Sequence, residues 1–147
     1  MLPTLNGRIQ TRVLALGVIG LVVLLLITPL LPTGHLSTAQ SYRVTTSVLL
    51  AIIIVGVIWE LLYHFLQQFR WEKDWPTLFG LLTAINEGIV IWLLLRYTTS
   101  VVPEQLRPPL SAFLIQFIST WLVFWLIVNG PIRVLFHRRR FWGGRFL

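Results

Sequence analysis

Charged side chains are absent from four long stretches of this chain, and hydrophobic residues fill them. Between Val13 and Arg43 the only acidic or basic side chain is His35. Between Val44 and Leu66 there are only Glu60 and His64. From Trp75 to Leu95 there is only Glu87, and from Pro108 to Ile132 there is none. A helix rises about 1.5 Å per residue, so about 20 apolar residues cross the roughly 30 Å hydrocarbon core of a bilayer. The pattern predicts an all-α integral membrane bundle of four transmembrane helices, over about residues 13–31, 46–66, 76–95 and 110–128. Residues 1–147 form a single membrane domain, with a tail over residues 132–147.

Composition excludes the soluble alternative. Of the 147 residues 56% are hydrophobic and 12% charged, against roughly 25% charged in soluble domains. The first apolar run exceeds the usual core of a signal peptide, and no small-x-small cleavage site follows it, so it reads as a retained helix. The sequence has no cysteine, which excludes thiol catalysis, disulfides and cysteine metal sites.

Charge then sets an expected orientation. Arg8, Arg12, Arg70, Lys73, Arg133, Arg138, Arg139, Arg140 and Arg145 fall on one side of a four-span arrangement, and Arg43, Arg96 and Arg107 on the other. Basic residues favour the cytoplasmic side of short loops, which predicts both termini in the cytoplasm. Trp71 and Trp75 at the inner hairpin, with Tyr42 and Tyr97 at the outer ends, fit interfacial belts. The outer loops, Pro32–Arg43 and Arg96–Pro109, are short and rich in proline and threonine. All the basic residues but Lys73 are arginine, a bias that points to a GC-rich bacterial genome and so to a bacterial inner or other internal membrane.

Ionisable groups inside a membrane helix are costly and therefore functional candidates. Here they are Glu60, His64 and Glu87, with Thr83 and Asn86 beside them and Gln116 and Asn129 elsewhere. Glu60 and His64 share one helix face, as do Thr83, Asn86 and Glu87. If helices 2 and 3 continue to a tight turn near Lys73–Asp74, Glu60 and Glu87 stand level, and the two carboxylates could share a proton or hold a cation. With a loose connection they stand apart. The plainer expectation is polar adhesion between helices, worth about 0.6–2 kcal/mol per contact. No metal site is expected, because one histidine and two glutamates make a weak cage. No cofactor is expected either, although His64 could serve as a haem or chlorophyll ligand. Phe113, Phe117, Trp121, Phe124 and Trp125 form a stripe expected to pack on lipid or on another helix, with a quinone or pigment as the alternative.

Asn129-Gly130-Pro131 should end the last helix. Beyond it, Arg133, Arg138, Arg139, Arg140, Phe141, Trp142 and Arg145 combine arginine with aromatic rings, the types that anchor on anionic lipid or dominate protein interfaces. Gly143-Gly144 should let the last residues turn outward to a partner. Nucleic acid is not an expected partner. There is no catalytic arrangement of nucleophile, base and orienting acid, so no enzyme is expected. The sequence thus points to a non-catalytic accessory subunit that anchors or helps assemble a larger complex, in contact with anionic headgroups, in a hetero-complex or a homo-oligomer. The alternatives are an oligomeric ion or proton transporter using Glu60 and Glu87, and a pigment- or haem-binding subunit using His64.

Overall fold

A computed structural model of the chain describes residues 4–69 and 77–146, with the backbone alone for 77–80 and 140. Every regular element among them is helical. Helix α1 runs over Leu5–Leu30, α2 over Thr38–Gln67, α3 over Thr77–Tyr97 and α4 over Leu110–Asn129, followed by a short α5 over Pro131–Leu135. Consecutive long helices pack side by side, and α4 closes the ring against α1. Among the described residues three spans, Leu5–Leu30, Thr38–Gln67 and Leu110–Leu135, are long and apolar enough to cross a membrane. The expected hairpin residues Arg70, Trp71, Lys73, Asp74 and Trp75, and the expected start of the third helix at Pro76, lie outside the described residues.

The helices outrun the apolar stretches because capping and pairing, not hydropathy, set their ends. Helix α2 starts at Thr38 rather than near residue 46. Ser37 Oγ accepts from the Gln40 amide while Gln40 Oε1 accepts from the Ser37 amide, a reciprocal capping box. Helix α1 starts at Leu5 rather than near residue 13, with Thr4 as its side-chain cap. Helix α4 ends as expected: Gly130 leaves helical geometry and Pro131 opens a new short helix.

Within α1 the segment Thr11–Leu16 is a π-helix. Its consequence is geometric. Positions 12, 16, 20, 24 and 28 are all buried. In a straight α-helix a stripe repeating every fourth residue drifts about 40° per step. The π-turn takes more residues per turn and so takes back part of that drift. Arg12 is thereby kept on the same inward line as Leu16 and Leu24.

The aromatic stripe of α4 faces the bundle interior. Phe113, Phe117, Trp121 and Phe124 belong to the buried core with Leu16, Val48, Ile52, Ile91 and Leu95. Phe113 stacks on Phe117 at 5.6 Å and meets Trp92 of α3 at 5.3 Å. The outer faces are the reverse of those of a soluble protein. Val18, Leu26, Ile54, Ile85, Ile89 and Ile118 all stand exposed around the ring. Such an apolar belt is stable against lipid tails and unfavourable in water.

At one end of the bundle, buried hydroxyls replace apolar packing. Thr28 and Thr45 are hydrogen-bonded at 3.1 Å, Thr33 and Ser41 at 2.9 Å, and Gln116 Nε2 donates to the Thr45 carbonyl at 2.7 Å. These bonds join α1, α2 and α4. Close approach between the same helices depends on Gly20, where a Cβ would fall 2.5 Å from Leu49 Cδ1 and 3.5 Å from Thr120 Cγ2. Gly20→Ile should therefore destabilise the bundle by about 1–3 kcal/mol through overpacking. The check is thermal unfolding in detergent, and an unchanged melting temperature would mean that α1, α2 and α4 do not meet at this glycine.

Candidate functional site: a buried arginine between two glutamates

Away from the hydroxyl cluster, the interior holds charge. Arg12 projects from the π-segment of α1 into the bundle and is 4% exposed. Its Nε donates to Glu60 Oε1 of α2 at 3.1 Å, and its Nη2 donates to Glu87 Oε1 of α3 at 2.5 Å. Glu87 is fully buried. One guanidinium thus ties three helices, reaching α3 across the diagonal of the ring. Arg8, one turn earlier, approaches Glu60 Oε2 with Nη1 at 3.7 Å and donates from Nη2 to Gln67 Oε1 at 2.8 Å. Two arginines and two glutamates give the group no net formal charge.

The surroundings are shaped for the guanidinium. Its Cζ lies 4.5 Å from the centroid of the Trp121 ring and 6.0 Å from that of Phe124, which offer their negative faces to the cation. A Cβ on Gly56 would stand 3.3 Å from Arg12 Cδ and Nε, so the absence of a side chain there makes the room. Arg12 Nη1, Glu87 Oε2 and Trp121 Nε1 are buried without a hydrogen-bond partner among the described residues.

The sequence reading counted Arg12 and Arg8 only among the basic residues on one side of the bundle and gave them no place in its interior. Instead Arg12 lies in the core and Arg8 is largely covered at the rim. A basic residue can stay inside a helix bundle when two carboxylates and aromatic faces replace its hydration. Glu60 and Glu87, the expected pair, are brought together, and the cation between them is the protein's own Arg12. The remaining members disperse. His64 is half-exposed one turn beyond Glu60, Thr83 is half-buried, and Asn86 points outward from α3. Among the described residues no three His, Cys, Asp or Glu side chains gather into a metal-binding group. Sequence reasoning missed Arg12 because it stands one residue before the charge-free run, where such residues usually mark the interface. Its place in the four-residue series Arg8, Arg12, Leu16, Gly20 was the available signal.

The C-terminal tail is also arranged differently from its expectation. Gly143-Gly144 turn the tail so that Phe146 comes back onto the start of α1, while Arg145 stays outward. Both glycines have positive φ, at 61° and 87°, a region costly for other residues. The Thr4 amide donates to the Gly143 carbonyl at 2.8 Å, and the Phe146 amide donates to Gln10 Oε1 at 2.8 Å. Arg139 donates to the Gly144 carbonyl at 2.9 Å and to Thr11 Oγ1, and lies 4.0 Å over the Phe146 ring. Burial, and secondarily the nearby Arg133, lowers the pKa of Arg139 from its ordinary value. Gly7 lies under this clasp: a Cβ there would come within 2.8 Å of the Gly144 carbonyl carbon.

Arg139 and Phe146 are therefore committed internally. Arg133, Arg138, Phe141, Trp142 and Arg145 remain exposed, with Phe141 68% and Trp142 57% accessible. The side chain of Arg140 is outside the described set. No protein-family model matches the chain, and neither a curated protein nor a solved structure shows significant similarity to it.

Breaking a buried ion pair from one side leaves the other charge uncompensated, at a cost of about 3–5 kcal/mol. Arg12→Leu should destabilise the bundle by that amount in detergent unfolding, whereas Arg12→Leu combined with Glu87→Leu should recover a large part of the loss. Equal losses in the single and double variants would show that Arg12 and Glu87 are not coupled.

Proposed function

We propose that this protein is a non-catalytic, four-span membrane subunit that anchors or helps assemble a larger complex, with both termini in the cytoplasm. Helix α3, with 21 residues, is about 31 Å long by the helical rise and serves as the fourth span. The start of α1 and the segment after α5 meet at one end of the bundle, which fits an even number of crossings between them. The basic residues of the tail favour the cytoplasm for that end.

The observation that carries the reading is the clasped tail. A lipid tether needs no fixed shape. Here Gly143-Gly144, Arg139 and Phe146 hold the tail in one conformation while Arg138, Phe141, Trp142 and Arg145 stay outward. Exposed arginine and aromatic side chains on an already ordered scaffold suit a binding surface, because little conformational entropy remains to be lost. The ion cluster supports the same view. Its two carboxylates are engaged by Arg12 and Arg8 from the same chain, which suits a fixed lock between helices better than a path for a travelling ion.

Purification of the tagged chain in mild detergent should retain a larger protein at fixed stoichiometry. Replacing Arg138, Phe141 and Trp142 with alanine should reduce that retention by about tenfold or more, since interface anchors of these types contribute about 2 kcal/mol or more each. A partner-free homo-oligomer that carries ion flux, lost in Glu87→Gln, would replace this reading with the transporter. Orientation is open to the same preparation, because the chain has no cysteine of its own. Single cysteines at His35 and Glu104 should react with an impermeant maleimide from outside the cell, and one at Arg145 only after lysis. Outside labelling of Arg145→Cys would invert or break the four-span arrangement.

A further inference from the structure

The opposite end of the bundle carries a second basic feature that the anchoring role does not use. A small cavity of about 20 Å³ opens where the end of α3 meets the segment leading into α4, lined by Trp92, Leu95, Arg96, Arg107 and Pro108. Its two arginines are held differently. Arg107 is anchored in place: Nη2 donates to the Thr98 carbonyl at 3.3 Å, and Nη1 pairs with Glu104 at 3.4 Å. Its Nε is buried and without a partner among the described residues. Arg96 is exposed, and no carboxylate among the described residues pairs with it. Glu104, largely exposed, offsets one positive charge and leaves the other in excess.

We infer that this cavity binds a single phosphate group at the membrane surface, in the form carried by an anionic phospholipid headgroup. Arginine forks match phosphate oxygens, and a fixed guanidinium with a spare N–H loses little freedom on binding. Trp92, half-buried beside the cavity and packed on Phe113, places an aromatic ring where glycerol and upper acyl carbons would lie. Basic pockets between membrane helices recognise phospholipid headgroups by this combination. The cavity admits one or two oxygen atoms rather than a whole headgroup. Selectivity therefore rests on the net charge of the headgroup and not on fit to its alcohol: a choline ammonium beside the phosphate would add a cation next to Arg96 and Arg107, whereas a neutral glycerol would not. The same chemistry would accept inorganic phosphate, but a lipid adds the apolar contact.

The test is native mass spectrometry of the whole protein released from detergent, titrated separately with short-chain phosphatidylglycerol, phosphatidylcholine and inorganic phosphate. Phosphatidylglycerol adducts should exceed phosphatidylcholine adducts, and Arg96→Gln with Arg107→Gln should weaken them about tenfold, as expected for losing two basic contacts near a membrane surface. Arg107→Lys, which keeps the charge but not the fork, should fall between. Arg96→Gln alone, at an exposed position, covers the case in which the double variant misfolds and should weaken the adduct by itself. Arg138→Gln with Arg145→Gln, at the other end, should leave it unchanged. Adducts with inorganic phosphate that depend on the same two arginines would uphold the site and name a soluble anion as its occupant. Phosphatidylglycerol adducts indifferent to Arg96 and Arg107, or equal to those of phosphatidylcholine, would overturn the proposal.

Discussion

The contact on which the bundle depends is the guanidinium of Arg12 held between Glu60 and Glu87. It crosses the ring from α1 to α3, as the Gln116–Thr45 hydrogen bond crosses it from α4 to α2. In a bilayer, apolar side chains gain little from leaving lipid for protein, so packing and polar contacts decide which helices associate. Arg12 supplies a directional polar contact to α2 and α3 at once, and the ring faces of Trp121 and Phe124 bring in α4. The glycine at position 56, the π-turn at Thr11–Leu16 and the inward aromatic stripe of α4 all make sense as conditions for that placement.

The two ends of the bundle are held by different chemistry. Near one end, threonine, serine and glutamine side chains bond one another and a backbone carbonyl, and these neutral contacts need no counter-charge. Near the other end the contacts are ionic, and the tail packs on the start of α1, at Thr4, Gly7, Gln10 and Thr11. This division places the fixed charges next to the side that carries the exposed arginines, while the opposite side offers Arg96 and Arg107 around a small opening. The protein therefore presents basic surface at both ends, separated by an apolar belt.

How much of this could be read from the sequence depends on the kind of interaction. The helical class and the long spans follow from hydropathy, because solvation acts on each residue where it stands. Helix starts were misplaced where a cap decided them, as at Ser37 and Thr4, since the first turns of α1 and α2 are polar and resemble loop. Glu60 and Glu87 were legible as a pair because charge within an apolar run is conspicuous. Their partner was not, because Arg12 sits at the run's edge and only the third dimension separates an interfacial arginine from a buried one. The clasp was illegible for a related reason. Gly143-Gly144 signals a turn, but nothing local says whether the turn leads outward or back onto Gly7. The buried hydroxyls escaped notice because threonine and serine are unremarkable in membrane helices.

The separation along the chain between Arg12 and its acceptors bears on how the protein is made. Glu60 follows Arg12 by 48 residues and Glu87 by 75. At about 5–20 residues per second of synthesis, the second acceptor emerges roughly 4–15 seconds after the arginine. Until Glu60 emerges the first helix carries a buried-type charge with nothing to neutralise it, which costs about 2.5–3.5 kcal/mol at a helix centre on insertion scales. The long arginine stem can reach the headgroups while it waits, because Arg12 lies within two turns of the helix start at Leu5. Membrane insertion of α1 and its locking into the bundle are therefore separate events, and the second waits for α3. Closing of the tail over Thr4 and Gln10 comes later still, because Gly143 and Phe146 follow α3 along the chain.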